Sequence, residues 1–232
     1  MKFELCAASV EAIDIATDLN FDRIELCQSL EQGGLTASNG LIRYALDKEI
    51  ETHVLIRPRA GGFSYSAEEK KIIIADVEEC RRLGVKGVVI GGLTEFGEID
   101  KELLQMIKGS AGDLKVTFHR AFDDSLEWQR SIDILIECGI DRVLTSGMAS
   151  SVEIGMPALK QLNSYSNGRI EIMAGGGVNS SNIKKIFDEI KPDAIHFSGT
   201  VKSVLDEESL FSESLLKVDR NKILRILDQV KL

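Results

Sequence analysis

Eight short segments of strand character alternate with eight helical segments along this chain, and this alternation restricts the fold more than any other feature. The strands are predicted at residues 2–6, 22–27, 51–57, 86–91, 114–119, 141–145, 169–174 and 193–198. The helices are predicted near residues 9–19, 38–48, 67–83, 100–109, 126–138, 152–165, 180–190 and 219–231. Strands that are each followed by a helix require a parallel sheet with right-handed crossovers.

A closed (β/α)8 barrel, the TIM barrel of the α/β class, is the most economical fold for this alternation in 232 residues. The alternative is an open doubly wound sheet, which usually shows a glycine-rich turn directly after its first strand. Residues 6–12, CAASVEA, contain no glycine. Because no linker divides the chain, we expect a single domain over residues 1–232, with loops at residues 61–66 and 199–218.

Three helix starts carry capping signals. Ser66 with Glu69, and Ser150 with Glu153, have the spacing of a capping box, in which each partner satisfies one free backbone N–H group. Asp100 is of the residue type that caps the start of the fourth helix.

The composition excludes several classes of protein. A net charge of −9 and the lack of a basic face argue against a nucleic-acid partner. No apolar run is long enough to cross a bilayer, and the first residues lack the pattern of a signal peptide. We therefore expect a cytoplasmic protein without a membrane partner.

The four cysteines are expected to be free thiols, because cysteines in the cytosol are normally reduced. They are Cys6, Cys27, Cys80 and Cys138. None of them forms a C-x-x-C pair, which argues against a closed structural zinc site. Cys80 and Cys138 lie in predicted helices and are interpreted as packing residues.

Polar side chains are concentrated at strand positions that should face the inside of the barrel. Barrel strands alternate between the lumen and the helix layer, so apolar Phe3 and Leu5 leave Glu4 and Cys6 facing inward. The same alternation predicts further lumen residues: Arg23, Glu25, Cys27, His53, Leu55, Arg57, Thr117, His119, Thr145, His196 and Ser198. A lumen built only for stability is filled with Val, Ile and Leu, so this content indicates a site at the C-terminal mouth.

Two readings of the buried charges stay open. Glu4 and Glu25 could pair with Arg23 or Arg57 and only hold the lumen together, because buried carboxylates require partners. Alternatively Glu25, Glu4 or His119 could transfer protons as catalytic residues. His119 is a candidate because imidazole ordinarily titrates near neutral pH.

The two inward thiols, Cys6 and Cys27, close neighbouring strands with the same tripeptide, Glu-Leu-Cys. Neighbouring strands run about 4.8 Å apart, so both sulfurs could bind one soft cation, and two sulfurs suit Cu(I) better than tetrahedral zinc. The alternatives are packing as small hydrophobic side chains, or a disulfide, which the cytosol disfavours.

Glycines follow the seventh and eighth predicted strands, where many barrels of this fold bind phosphate. The predicted anion cradle consists of Gly175, Gly176, Gly177, Ser198, Gly199 and Thr200. Arg57, Arg59 and Arg120 lie near the same mouth, and arginine suits bidentate contact with carboxylate or phosphate.

Several segments together resemble the CutC copper-homeostasis family over essentially the full length of the chain. They are FELCAAS, DRIELCQSLEQGGLTAS, VLIRPRAGGFSYSAEE, GVVIGGLTEFGEID, VTFHRAFD, DRVLTSG, IMAGGGV and IHFSG. The resemblance implies a cytosolic (β/α)8 barrel linked to copper handling, with Cu(I) bound at the cysteines matched here by Cys6 and Cys27. It implies no particular reaction.

Two functions are therefore expected. The first is a copper-homeostasis protein that binds Cu(I) through Cys6 and Cys27. The second is an enzyme of unknown reaction that acts on a small anionic or phosphorylated metabolite. No organic cofactor is evident, and a homo-oligomer is expected because such barrels commonly self-associate.

Overall fold

The computed structural model describes residues 1–204 and 214–230, and it contains a closed barrel of eight parallel strands. The strands are β1 (Lys2–Ala7), β2 (Arg23–Leu26), β3 (Thr52–Leu55), β4 (Gly87–Ile90), β5 (Lys115–Phe118), β6 (Arg142–Thr145), β7 (Glu171–Ala174) and β8 (Ala194–Phe197). Each strand pairs with the next, and β8 pairs with β1 to close the barrel. The α/β TIM-barrel fold predicted from the alternation is confirmed.

Helices surround the barrel and pack against the outward side of the strands. They are α1 (Val10–Asp18), α2 (Asn39–Asp47), α3 (Ala67–Leu83), α4 (Lys101–Ala111), α5 (Trp128–Glu137), α6 (Val152–Ser166), α7 (Ile183–Lys185, continued by a π-helical turn at Ile186–Ile190) and α8 (Arg220–Leu227). Outward strand residues such as Leu5, Ile24 and Val88 share one core with Ile13 and Leu104 of the helices. Within residues 1–204 and 214–230, no helix has the length and apolar content that a membrane span needs.

The capping signals are confirmed at two of the three helix starts. Ser66 Oγ accepts the Glu69 N–H, and the Glu69 carboxylate accepts the Ser66 N–H. Asp100 accepts the Leu103 N–H at 3.0 Å. The third prediction is one residue wrong, because Ser151 rather than Ser150 caps α6.

The expected loop over residues 199–218 is wrong in part. Residues Thr200–Val204 form β9 and residues Ser214–Val218 form β10, which pair in antiparallel fashion. Residues 205–213 lie outside the described residues, as does the end of the last predicted helix at residue 231. The Leu216 N–H donates to Glu31 Oε1 at 2.7 Å, which fixes β10 beside the loop that follows β2.

The alternation of strand side chains is confirmed for the first strands and fails on the sixth. Cys6 and Cys27 cluster inside the barrel with Leu55, apart from the outer core. On β6 it is Leu144 that packs in the lumen, against Met173 and Ala194. Thr145 therefore faces outward, where its hydroxyl donates to the Asp123 carboxylate.

Two helical glycines allow a direct test of the packing. A Cβ on Gly155 of α6 would lie 1.8 Å from the backbone oxygen of Ser146, whereas a Cβ on Gly109 of α4 meets nothing within 4 Å. Gly155→Ala should lower the free energy of unfolding by about 3 kcal/mol or more, because backbone atoms cannot move aside. Gly109→Ala, the matched control, should raise it by up to about 1 kcal/mol. Equal urea midpoints for the two variants would contradict this packing.

Candidate functional site

A cavity of about 620 Å³ opens at the C-terminal mouth of the barrel. Barrels of this fold place their active sites at this mouth. The lining residues of interest are Cys6, Glu25, Arg57, His119, Arg120, Gly176, Gly177, Ser198, Gly199, His196 and Lys222. The structure thus brings most of the sequence-predicted site residues together around one space.

Glu4 lies beneath the cavity and connects the first, second and last strands of the barrel. Its carboxylate accepts a hydrogen bond from Arg23 Nε of β2, and its Oε1 lies 2.8 Å from His196 Nδ1 of β8. Burial alone raises the pKa of Glu4, but the hydrogen bond from His196 and the charges of His196 and Arg23 outweigh it and hold the pKa well below its usual range. Glu4 is therefore a charged, fully paired residue, which favours the interpretation that it holds the lumen together.

Glu25 lies one step further along the lumen and is only partly paired. Its Oε2 is 4.0 Å from His196 Nδ1, is buried, and has no hydrogen-bond partner within residues 1–204 and 214–230. Burial raises its pKa to about 7, with the Glu4 charge adding to the effect and the His196 charge opposing it. A carboxyl group with a pKa near neutrality can either accept or donate a proton at cellular pH.

His196 is held between the two carboxylates. Burial by itself lowers its pKa, but the charge of Glu25 and the hydrogen bond and charge of Glu4 outweigh burial and raise it. Cys6, Glu25 and His196 each place one ligand atom within 4.8 Å of the others, which is a grouping able to hold a metal ion.

The two thiols predicted to share a cation lie in contact. Cys6 Sγ is 3.8 Å from Cys27 Sγ and 3.9 Å from Glu25 Oε1. Cys6 lines the cavity, whereas Cys27 is fully buried behind it. The hydrogen bond with Cys27, together with burial, raises the pKa of Cys6 well above its usual value. All four cysteines are free thiols, and Cys80 packs in the outer core.

Arg57 reaches the cavity, but most of its guanidinium holds the surrounding loops. Its Nη1 donates to the carbonyl oxygens of Gln32 and Gly34, at 2.8 and 2.9 Å, and its Nη2 donates to that of Gly61 at 2.8 Å. Its cationic centre lies 5.4 Å from the ring of Phe63, which also lines the cavity.

The other two predicted arginines differ in their placement. Arg59 does not line the cavity and instead pairs with Glu69 and donates to the Ser64 carbonyl oxygen, so the structure does not bring it to the site. Arg120 does line the cavity, where its Nε donates to Asp123 at 2.8 Å and its Nη2 donates to Ser146 Oγ at 2.9 Å.

The glycine loop after β7 lines the cavity and contains backbone N–H groups that have no partner among the described residues. Gly176 and Gly177 have φ of 91° and 89°, and with Val178 they line the cavity. In the part of the chain that the structure describes, the N–H groups of these three residues donate to no other group. Gly175 lies just outside the cavity, where its missing Cβ makes room for Leu144.

Lys222 is a cavity residue that the sequence analysis missed. It lies on α8, and its Nζ donates to the Thr200 carbonyl oxygen at 2.7 Å, beside the loop of Ser198 and Gly199. No local motif marks it, because its contacts with this loop depend on the hairpin and on the packing of α8. The cavity therefore carries a cation next to the glycine loops.

His119 does not have the near-neutral pKa expected for it. Burial and the charges of Arg57 and Arg120 lower its pKa to about 3. Its Nδ1 accepts the Ala121 N–H at 3.0 Å, so the proton of the neutral ring resides on Nε2. That Nε2 is buried and has no partner among the described residues. His119 is thus a neutral hydrogen-bond donor.

Comparisons with known proteins show which family the chain resembles. Residues 1–201 match the CutC family. A CutC protein of Glaesserella parasuis is 38% identical to this chain, and the match covers 100% of this chain and 96% of the relative. A CutC protein of Bacteroides thetaiotaomicron is 44% identical, and the match covers 85% of this chain and 80% of the relative. The crystal structure of a candidate copper homeostasis protein, CutC from Streptococcus agalactiae, is 34% identical, covers 84% of this chain and 98% of that chain, and has a TM-score of 0.76.

Replacing Glu4 tests its role beneath the site. Glu4→Gln removes the carboxylate that Arg23 pairs with and leaves His196 only the more distant Glu25, so the free energy of unfolding at pH 7 should fall by about 3–5 kcal/mol. The exposed Glu95→Gln is the control and should change it by less than about 0.5 kcal/mol.

The difference in unfolding free energy between wild type and Glu4→Gln should depend on pH. Because the pKa of Glu4 is lowered in the folded state, its stabilising effect is fully present above the unfolded pKa of about 4.3 and is lost progressively as the pH falls from there through the lower folded value. Urea unfolding between pH 3 and 8 measures the difference between wild type and Glu4→Gln. A difference that vanished between pH 6 and 8 would contradict the pairing.

Proposed function

This chain belongs to the CutC family, and from that premise we propose that it is a copper-homeostasis protein that binds Cu(I) through Cys6 and Cys27. One observation carries the proposal: the two sulfurs lie 3.8 Å apart, and one of them, that of Cys6, belongs to a residue that lines the cavity. The name of the Streptococcus agalactiae relative, a candidate copper homeostasis protein, supports the same assignment.

The donor set favours a soft, low-coordinate cation. Thiolate sulfur selects Cu(I), and imidazole also suits copper, whereas carboxylate prefers harder ions. Cys6 and Cys27 would supply the two sulfurs, and His196, which has a ring nitrogen within 4.8 Å of the Cys6 sulfur, is a further nitrogen donor. Glu25 is the hard member of the group, and its proposed role is to accept a thiol proton when the metal displaces it.

The position of the two sulfurs suits a protein that stores and releases its metal. Cys27 is closed off by the apolar side chains of Leu55 and Val89, whereas Cys6 opens to the cavity. An incoming copper donor would therefore reach Cys6 first. The proposal places the protein in the cytosol, because thiols stay reduced there. Homo-oligomer formation stays a prediction from the sequence.

Removing the two sulfurs tests the proposal. The double variant Cys6→Ser/Cys27→Ser should lose stoichiometric Cu(I) uptake, because serine oxygen is a poor ligand for a soft ion. The matched control is Cys80→Ser/Cys138→Ser, which removes two thiols that do not line the cavity. Competition with a chromophoric Cu(I) chelator, under reducing conditions, measures the uptake. Unchanged uptake in the first variant, or equal loss in both variants, would contradict the proposal.

A second candidate function is supported by the size of the cavity. We propose that the same mouth binds a small anionic or phosphorylated metabolite, as an enzyme of that substrate class would. A volume of about 620 Å³ exceeds what one ion needs and lies in the range of small-molecule sites, about 300–1,000 Å³. The free N–H groups of Gly176 and Gly177, with the cations of Lys222 and Arg120, support an anionic group there.

Within this second function the titratable residues take different roles. Glu25 is the candidate for proton transfer, because its Oε2 is unpaired and its pKa is about 7. His119 stays neutral and donates a hydrogen bond. Glu4 holds His196 in place through its paired carboxylate. Arg59 is dropped from the anion-binding set, since it lies away from the cavity.

Binding of inorganic phosphate tests the anion site. Lys222→Met removes a cation beside the glycine loops and should weaken phosphate binding about tenfold, the loss expected for one hydrogen bond to a charged group. The control, Lys160→Met on the exposed side of α6, should leave binding unchanged. Isothermal titration calorimetry at constant ionic strength makes the measurement. Equal affinities for the two variants would contradict the proposed cradle.

A further inference from the structure

His119 lines the cavity, and its ring carries a hydrogen-bond donor that has no partner among the described residues. Its Nδ1 is occupied by the Ala121 N–H, which fixes the tautomer with the proton on Nε2. The Nε2 atom is buried and meets no acceptor in the residues the structure describes. An unsatisfied buried donor costs free energy, about 1–3 kcal/mol, so an acceptor atom of a ligand is its natural partner.

The chain fixes the His119 ring in this position. The ring lies against Phe63, with 4.9 Å between the ring centres, and it covers Gly91, where any Cβ would come within 2.0 Å of it. Glycine at residue 91 is thus required for the imidazole to lie where it does. A donor that is fixed before the ligand arrives loses little freedom on binding.

The electrostatic surroundings define what this donor can recognise. Arg57 and Arg120 lie close enough for their charges to disfavour protonation of His119, so the ring stays neutral. A neutral donor near two cations stabilises an oxygen that carries partial negative charge, as the oxygen of a carbonyl group does. A neutral imidazole with a depressed pKa is a known means of polarising a carbonyl group.

We infer that the ligand of this cavity is a small phosphorylated carbonyl compound, with its phosphate on the Gly176–Val178 loop and its carbonyl oxygen on His119 Nε2. The inference rests on the second proposed function, the anion site, and adds the chemistry of the ligand's other end. The carbonyl group belongs to a ketone, an aldehyde or a carboxylate, because each presents a terminal oxygen acceptor on a trigonal carbon.

Three probes distinguish the two ends of the ligand. Dihydroxyacetone phosphate carries a ketone, 2-phosphoglycolate carries a carboxylate, and propyl phosphate carries neither. Wild-type protein should bind at least one carbonyl probe about tenfold more tightly than propyl phosphate, which is the contribution of one hydrogen bond. Isothermal titration calorimetry gives the ratio, and the separate ketone and carboxylate arms show which group is preferred.

Two variants of His119 complete the test. His119→Phe keeps an aromatic ring and removes the donor, so the preference for the carbonyl probe should disappear while propyl phosphate binding changes by less than about twofold. His119→Gln keeps an N–H donor and should retain part of the preference. Circular dichroism and melting curves identify any variant that fails to fold. In that case the ratio of wild-type affinities for the carbonyl probes and propyl phosphate tests the inference by itself.

The outcomes separate the two proposals. If wild type binds all three probes equally, or if His119→Phe keeps the full preference, the inference about the carbonyl group is overturned and the anion site stands. If no probe binds, the anion site and the inference are overturned together.

Discussion

The buried carboxylate of Glu4 is the constraint on which the candidate site depends. It lies where the barrel closes, on β1, and it is shared between Arg23 of β2 and His196 of β8. A buried charge is tolerated only when it is paired and hydrogen-bonded. Because Glu4 meets this requirement with groups from both neighbouring strands, it fixes His196 beside Glu25 and Cys6.

Two kinds of chemistry share the mouth above this carboxylate, and they occupy different sides of it. The sulfurs of Cys6 and Cys27 lie at the ends of β1 and β2, with an apolar wall behind them. The glycine loops and Lys222 present hydrogen-bond donors and positive charge around the ends of β7 and β8. The two sulfurs favour Cu(I), whereas the hydrogen-bond donors of the glycine loops and Lys222 favour an oxygen-rich anion. Neither set of groups by itself therefore accounts for the whole cavity.

Most of the fold, and about half of the residues that line the cavity, could be predicted from the sequence. Individual residues show why. Strict alternation of apolar and polar residues on β1 and β2 placed Glu4, Cys6, Arg23 and Cys27 correctly. On β6 the neighbouring residues Val143 and Leu144 are both apolar, so the sequence did not show which of them faces the lumen. Thr145 was therefore assigned to the wrong side. Arg59 does not line the cavity as expected and Lys222 was not identified, because loop paths and the packing of α8 decide their positions and neither leaves a local pattern.

The central claim, that both thiols bind one copper ion, is tested most directly by X-ray absorption spectroscopy of the wild-type protein loaded with one equivalent of Cu(I). Binding of one ion by both thiols predicts an absorption edge of Cu(I) and a first coordination shell that contains two sulfur atoms. A first shell made only of nitrogen and oxygen, or one that contains a single sulfur from this chain, would contradict it.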